Sequence, residues 1–171
     1  MLRIVICDDE KVICDQLSEY ITRWAEENDE ETEVRSYTMA SVMLADYKDD
    51  TDILLLDIMM DGMNGLDAAK ELRRRGKEVR MIFITSMTGY AIECYKVRAF
   101  GFLTKPVSYE EFRLEFSDAA RSILENKARY IMIRSGGDLN KINVNDILYL
   151  EVKNHIVTVY LNDGSRINCY Q

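Results

Sequence analysis

The chain of 171 residues is 47% apolar and 30% charged, so it has enough apolar side chains to build a core. Its 22 basic and 30 acidic residues give a formal charge of −8, which excludes a protein that coats nucleic acid or an anionic membrane over its whole surface. The charge is uneven: residues 1–126 hold 16 basic and 26 acidic side chains (net −10), and residues 127–171 hold 6 and 4 (net +2).

The hydropathy and the motifs of the sequence exclude several further classes of protein. No apolar run reaches the roughly 18 residues of a membrane span, and the N-terminus lacks the pattern of a secretory signal, so a cytoplasmic protein without membrane contact is expected. The common nucleotide-binding, zinc-protease and serine-hydrolase motifs are absent. The cysteines lack CxxC spacing and are predicted to be reduced thiols; they are Cys7, Cys14, Cys94 and Cys169.

Through residue 126, short aliphatic runs alternate with longer segments of helical periodicity. The runs predict five strands, at 2–7, 33–37, 52–56, 80–85 and 100–103. Between the first two, residues 11–27 predict a helix with Trp24 on its buried face. A capping box at Ser108 and Glu111 predicts the start of the last helix. This alternation is typical of an α/β domain, with a doubly wound five-stranded parallel sheet over residues 1–126.

After residue 126 the pattern changes to short strands with no helix between them. They are predicted at 130–134, 139–144, 147–152, 156–161 and 165–170. Asn162, Asp163 and Gly164 lie between two alternating runs and predict a hairpin, because Asp-Gly tolerates the positive φ of tight turns. Residues 127–171 are therefore predicted to be a separate all-β segment.

Five polar residues of the first segment follow its strands: Asp8, Asp9, Asp57, Thr85 and Lys105. The carboxyl ends of parallel strands meet at one edge of a sheet, so these side chains are predicted to share a pocket. Clustered carboxylates bind hard cations such as Mg²⁺, and a lysine and a hydroxyl suit phosphoryl oxygens. The set indicates phosphoryl transfer to Asp57, although the acid pair alone also fits favourable charge at a helix N-terminus.

These residues stand in motifs that resemble the receiver domain of bacterial two-component response regulators, the flavodoxin-like CheY superfamily. The motifs are IVICDD, LLLDIMMDGMNGLDAAKELR, MIFITS and FLTKPV. The resemblance implies that Asp57 is the phosphoacceptor and that Mg²⁺ is bound by Asp9, by Asp8 through water, and by Asp57. It also implies a fourth Mg²⁺ ligand, the main-chain carbonyl of Met59.

The same resemblance assigns the switching residues. Thr85 would be the switch hydroxyl and Lys105 the phosphate-binding lysine. Phe102 matches the switch aromatic, with strand core as the alternative interpretation. The sequence departs from many receivers at Asp61, where proline is common, and Ser86 is a small residue beside the phosphoacceptor pocket.

The second segment resembles the opening part of a LytTR domain through NDILYLE, NHIVTVY and Asp163-Gly164. In that family the module binds DNA behind a receiver, and the resemblance makes His155 and Asn154 candidates for base contact. A satisfied surface residue is the alternative for His155. The segment covers only the N-terminal part of such a module, so DNA binding is expected only where the module is complete.

Together these features predict a response regulator that is not a turnover enzyme. A sensor histidine kinase would phosphorylate Asp57 with Mg²⁺, and the phosphorylated chain would form a homodimer and regulate transcription through the LytTR module. One alternative is a receiver that acts only by protein docking and dimerisation. A remote alternative is a metal-dependent phosphohydrolase. Such enzymes carry a second acid two residues after the nucleophile, and Met59 at that position argues against this alternative.

Overall fold

The structure is a computed structural model that describes residues 1–128 and 130–170. The described chain divides into two compact units, one formed by Met1–Arg121 and one beginning at Ser122. Each unit has its own sheets.

The first unit contains a sheet of five strands with helices between them. The strands are β1 (Leu2–Cys7), β2 (Thr32–Tyr37), β3 (Ile53–Leu56), β4 (Arg80–Thr85) and β5 (Gly101–Thr104). The helices are α1 (Lys11–Asn28), α2 (Ala40–Ala45), α3 (Gly65–Arg74), α4 (Ala91–Lys96) and α5 (Tyr109–Ala128), with a 3₁₀ turn at Thr88–Tyr90. The boundary between the units falls within α5, after Arg121. The predicted α/β fold with a five-stranded parallel sheet is confirmed.

The strand order is β2-β1-β3-β4-β5, and every neighbouring pair is parallel. The chain moves from β1 outward to β2 and then returns to the other side of β1 as β3. The order therefore reverses between β1 and β3, and in a doubly wound sheet ligands bind at the carboxyl ends of the strands at such a point.

Burial follows the sequence pattern. All four residues of β3 are buried, as are nearly all of β1 and β4, whereas the edge strands β2 and β5 are only partly covered. Trp24 is buried, as its periodicity predicted, and its indole Nε1 donates a hydrogen bond to Ser117 Oγ at 2.8 Å. The Trp24 ring packs edge-on against Phe116 at 4.9 Å between centroids, which joins α1 to α5.

The element boundaries differ from the sequence predictions by one or two residues. The fifth strand begins at Gly101, not at residue 100, and ends at Thr104, one residue beyond the predicted end. The first helix continues to Asn28 and ends where Asp29 adopts a left-handed φ of 53°. The capping box is present: Glu111 N–H donates to Ser108 Oγ, and Ser108 N–H donates to Glu111 Oε2, both at 3.3 Å.

The second unit is built from antiparallel strands. Its strands are β6 (Tyr130–Ser135), β7 (Asp138–Asn143), β8 (Ile147–Lys153), β9 (Ile156–Leu161) and β10 (Arg166–Tyr170). They form a two-stranded β6-β7 sheet and a three-stranded β10-β9-β8 sheet. The predicted all-β segment is confirmed, except that a 3₁₀ turn occupies Val144–Asp146, where Asn143 Oδ1 accepts a hydrogen bond from Asn145 N–H at 2.9 Å.

The hairpin predicted at Asn162, Asp163 and Gly164 joins β9 to β10. Gly164 has a φ of 83°, and its N–H donates to the Leu161 carbonyl at 3.1 Å. The four cysteines are unpaired, as predicted. Across the described residues, no helix has both the length and the apolar character that a membrane crossing requires.

Candidate functional site

The loops that follow β1 and β3 meet at the carboxyl edge of the sheet. Asp8 and Asp9 directly follow β1, and Asp57 directly follows β3. Backbone hydrogen bonds hold this geometry: Asp57 N–H donates to the Cys7 carbonyl at 2.9 Å, and Asp8 N–H donates to the Tyr37 carbonyl at 3.1 Å. The backbone pairing of β1 with its two neighbours, β2 and β3, thus continues past the ends of the strands and sets the positions of Asp8 and Asp57.

The three carboxylates form one cluster. One oxygen from each of Asp8, Asp9 and Asp57 lies within 4.8 Å of the others, with Asp8 and Asp57 buried and Asp9 exposed. Buried carboxylates repel one another unless a cation lies between them. The donors are all oxygens, which hard divalent cations such as Mg²⁺ prefer, and one exposed side leaves room for water and a phosphoryl group. The residues therefore fit a magnesium site.

Lys105 extends into the same cluster from the loop after β5. Its Nζ lies 2.8 Å from Asp8 Oδ2, 3.2 Å from Asp57 Oδ2 and 3.2 Å from Glu10 Oε1. Burial by itself would lower the pKa of Lys105, but the hydrogen bond and charge of Asp8, with the charge of Asp57, outweigh burial and raise the pKa. The ammonium is therefore positive throughout the neutral pH range.

Burial also affects the neighbouring groups. It raises the pKa of the Asp8 carboxyl, and the hydrogen bond and charge of Lys105 only partly oppose that effect. It raises the pKa of the Cys7 thiol to about 12, with smaller contributions from nearby Cys14 and Asp8. The Cys7 thiol is accordingly neutral, and it contacts Met60 Sδ at 3.7 Å as a packing residue.

Thr85 lies at the end of β4 and is fully buried. Its carbonyl accepts a hydrogen bond from Lys105 N–H at 3.0 Å, and its Oγ1 accepts a weak one from Met87 N–H at 3.4 Å. Phe102 lies in β5, paired in register with Phe83 of β4, and packs partly buried against the core. Met59 lies in the loop after Asp57 with its side chain exposed.

Gly65 is a feature of this site that the sequence prediction did not identify. It opens α3 after Asn64, whose side chain caps the helix by accepting from Asp67 N–H at 2.8 Å. A Cβ at Gly65 would lie 1.8 Å from the Asp57 carbonyl oxygen, so no other residue fits without moving the Asp57 backbone. The signal was glycine at the first helical position, where alanine is normally the better helix former.

Glu10 is a second missed residue. It follows the acid pair and was not distinguished from ordinary acidic surface residues. In the structure its carboxylate accepts a hydrogen bond from the Lys105 ammonium, 95 positions away in the sequence. The contact depends on the folded loops. Only the pairing of an exposed acid with a predicted phosphate-binding lysine could have suggested it.

The two candidate base-contact residues lie in the second unit. Asn154 and His155 form the two-residue turn between β8 and β9, with φ values of 49° and 63°, and both side chains are exposed. Positive φ at both positions is the geometry of the tight turn that matches strand twist, and asparagine adopts it readily. The turn geometry therefore explains Asn154 without a ligand.

Residues 4–116 match the family described as "Response regulator receiver domain". The Sensory transduction protein LytT of Bacillus subtilis is 28% identical over 174 residues, covering 96% of this chain and 71% of LytT, so the similarity extends into the second unit. The LytT protein of Oceanobacillus iheyensis is 30% identical over 80 residues, covering 46% of this chain and 32% of that protein.

Solved structures show the same fold. The response regulatory domain of protein mrkE from Klebsiella pneumoniae has a TM-score of 0.64 at 18% identity, covering 72% of this chain and 99% of that domain. The response regulator TrrA from Thermotoga maritima, solved in complex with Mg²⁺-BeF, has a TM-score of 0.58 at 26% identity, covering 70% of this chain and 99% of TrrA.

Proposed function

Because the chain belongs to the response regulator receiver family, we propose that Asp57 accepts a phosphoryl group from a sensor histidine kinase. The observation that carries the proposal is the set of charges around Asp57. Two further carboxylates and the Lys105 ammonium, 3.2 Å from Asp57 Oδ2, converge on one buried nucleophile at the carboxyl edge of the sheet. We further propose that the chain works in the cytoplasm and is not a turnover enzyme, since the phosphoryl group resides on the protein itself.

In the transfer, a carboxylate oxygen of Asp57 attacks the phosphorus atom. The new O–P bond forms as the P–N bond to the kinase histidine breaks, and the imidazole leaves with the electron pair and takes a proton from solvent. Negative charge spreads over the phosphoryl oxygens in the transition state. The Lys105 ammonium lies beside the nucleophile and stabilises that charge.

The carboxylates of Asp8, Asp9 and Asp57, with the main-chain carbonyl of Met59, would hold Mg²⁺. When bound, the ion neutralises the acidic cluster and the phosphoryl oxygens, so that two anionic groups can approach. The compact all-oxygen donor set supports this assignment, as does the TrrA structure with Mg²⁺-BeF.

Phosphorylation adds about −1.5 to −2 charges and three acceptor oxygens at Asp57. Lys105 and the Thr85 hydroxyl are the donors available to those oxygens. Thr85 and Lys105 are joined by a backbone hydrogen bond, so a movement of one is transmitted to β5 and to Phe102. We propose that this shift changes the α4-β5-α5 face and favours a homodimer, with a coupling of about 1–3 kcal/mol.

The output would be transcriptional, through a completed LytTR module in the second unit. The net charge of +2 in residues 127–171 and the similarity to LytT support this output. Protein docking without DNA remains the competing output. A mobility-shift assay with labelled DNA separates the two, comparing this chain with a version carrying a completed β module: the transcriptional proposal expects a shift only for the completed version.

The phosphoacceptor is tested with acetyl phosphate and Mg²⁺, followed by intact mass. The wild type is expected to gain the mass of one phosphoryl group, and Asp57→Asn to gain none, because the amide is not nucleophilic. Asp67→Asn is the matched control, since it removes the same charge from an exposed position on α3. Full mass gain by Asp57→Asn, or none by the wild type, would contradict the proposal.

A further inference from the structure

The Lys105 ammonium is already surrounded by acids. An ammonium has three N–H donors, and three carboxylates lie around this one, from Asp8 at 2.8 Å, Asp57 at 3.2 Å and Glu10 at 3.2 Å. A phosphoryl oxygen that approaches Lys105 therefore competes with these carboxylates, of which Asp57 and Glu10 accept hydrogen bonds from the ammonium. The rate of phosphorylation depends on which carboxylate leaves and how readily.

Exposure identifies the carboxylate that leaves. The Asp8 and Asp57 side chains are only 2% and 5% exposed, whereas the Glu10 side chain is 64% exposed. A buried acid that loses its partner stays desolvated and unpaired, which is costly. Water replaces the partner of an exposed acid, so Glu10 is released at the least cost.

The backbone places Glu10 for this contact. Glu10 is the N-cap residue of α1, yet its side chain makes no capping hydrogen bond and bonds Lys105. Its N–H donates to Asp8 Oδ1 at 3.0 Å, and its carbonyl accepts from Ile13 N–H at 2.9 Å. Both ends of the residue are thus fixed, and the carboxylate points to the lysine instead of to the helix.

We propose that Glu10 is a positioning residue that occupies Lys105 in the unphosphorylated receiver and slows phosphorylation of Asp57. The inference rests on the proposed function and adds a regulator of its rate. Removal of the Glu10 carboxylate leaves one Lys105 donor free for the incoming phosphoryl oxygen.

The test compares initial phosphorylation rates with acetyl phosphate and saturating Mg²⁺. Glu10→Ala is expected to raise the rate about two- to fivefold, the equivalent of releasing one partly exposed ion pair. Glu10→Gln keeps a weaker acceptor and is expected to give a smaller increase. The matched control is Asp15→Asn, which removes an acidic charge from the same helix at a residue paired with Lys11, and no change is expected.

A Lys105→Met background separates this contact from general charge repulsion between Glu10 and the anionic phosphodonor. If Glu10 acts through Lys105, Glu10→Ala has no effect in that background, although the background itself is slow. An equal increase there, or in Asp15→Asn, would overturn the inference, as would equal rates for the wild type and Glu10→Ala. Failure of the wild type to gain any phosphoryl mass would instead overturn the proposed function.

Discussion

Strands β3 and β8 have similar aliphatic side chains and very different surroundings. Every residue of β3 is buried, whereas Leu148, Leu150 and Val152 of β8 are 57–72% exposed. The third strand lies between β1 and β4, and the eighth is the edge of a three-stranded sheet. A strand paired on both sides holds the residue that follows it in a defined position, and here that residue is Asp57.

An edge strand has the opposite property. Its outer N–H and carbonyl groups have no ladder partner within its sheet and are available for pairing with another chain. The apolar side chains of β8 add to that tendency. The two strands therefore differ in kind: β3 holds the residue that follows it in a defined position, and β8 presents an open edge with exposed apolar side chains.

The largest expected difference between the units is in stability. Leu54→Ala should lower the free energy of unfolding of the first unit by about 2–5 kcal/mol, because it leaves a cavity in β3. Leu150→Ala is the same substitution in β8. It should change the free energy of unfolding of the second unit by at most about 0.5 kcal/mol, because the Leu150 side chain is mostly in water. Urea titrations that follow Trp24 fluorescence measure the value for the first unit, and amide hydrogen exchange of β9, which is paired on both sides, measures the value for the second. Comparable losses for the two variants would contradict the contrast.

A smaller effect is expected from the acids. Burial raises the pKa of Asp8, so the folded state favours its neutral form, and the wild type loses stability relative to Asp8→Asn as the pH rises above the ordinary value of 3.8. Without Mg²⁺ at pH 7, Asp8→Asn should therefore be more stable than the wild type. Thermal melts across pH measure the difference, which should vanish in acid.

Asp163 in the second unit is the matched opposite case. Hydrogen bonds from Ser165 lower the pKa of its carboxyl. Its contribution to stability is therefore present above the ordinary value of 3.8 and is lost as the pH falls, so Asp163→Asn should not stabilise the chain at pH 7. If Asp8→Asn and Asp163→Asn both stabilise the chain, the effect on stability comes from the net negative charge of the chain and not from burial of Asp8.

The smallest expected effect concerns the turn between β8 and β9. His155→Gly should leave the second unit as stable or slightly more stable, by up to about 1 kcal/mol, because glycine adopts a φ of 63° without steric cost. His155→Val should destabilise it, since a β-branched residue resists positive φ. Circular-dichroism melts compare the two. A clear loss of stability in His155→Gly would show that the histidine side chain holds the turn.

Much of the fold could be predicted because its signals are local. Continuous aliphatic runs mark β1, β3 and β4 as covered on both faces, and their order implies the parallel sheet. A helix start was predicted from Ser108 and Glu111, three residues apart. A hairpin was predicted from the neighbouring residues Asp163 and Gly164. The end of β7 was predicted one residue too late because β propensity at Val144 gave way to a 3₁₀ turn that Asn143 caps.

The site was predictable to the extent that topology alone brings residues together. Asp8, Asp9, Asp57 and Lys105 follow strands whose carboxyl ends share an edge, and their oxygens and ammonium do meet there. Gly65 and Glu10 were missed for another reason. Gly65 is required because its α-carbon lies close to the Asp57 backbone. Glu10 forms an ion pair with Lys105, 95 positions away in the sequence. No periodicity in the sequence indicates either contact.

By itself the sequence determined the class of fold, the order of the elements and the residue types available for phosphoryl transfer, because hydrophobic period and turn chemistry act over a few residues. Only the tertiary structure decided how those residues share their charges. Burial differs between Asp8 and Glu10, so that one is a fixed partner of Lys105 and the other an exchangeable one. Solvent access is a property of the packed chain, and it determines what each of these carboxylates does.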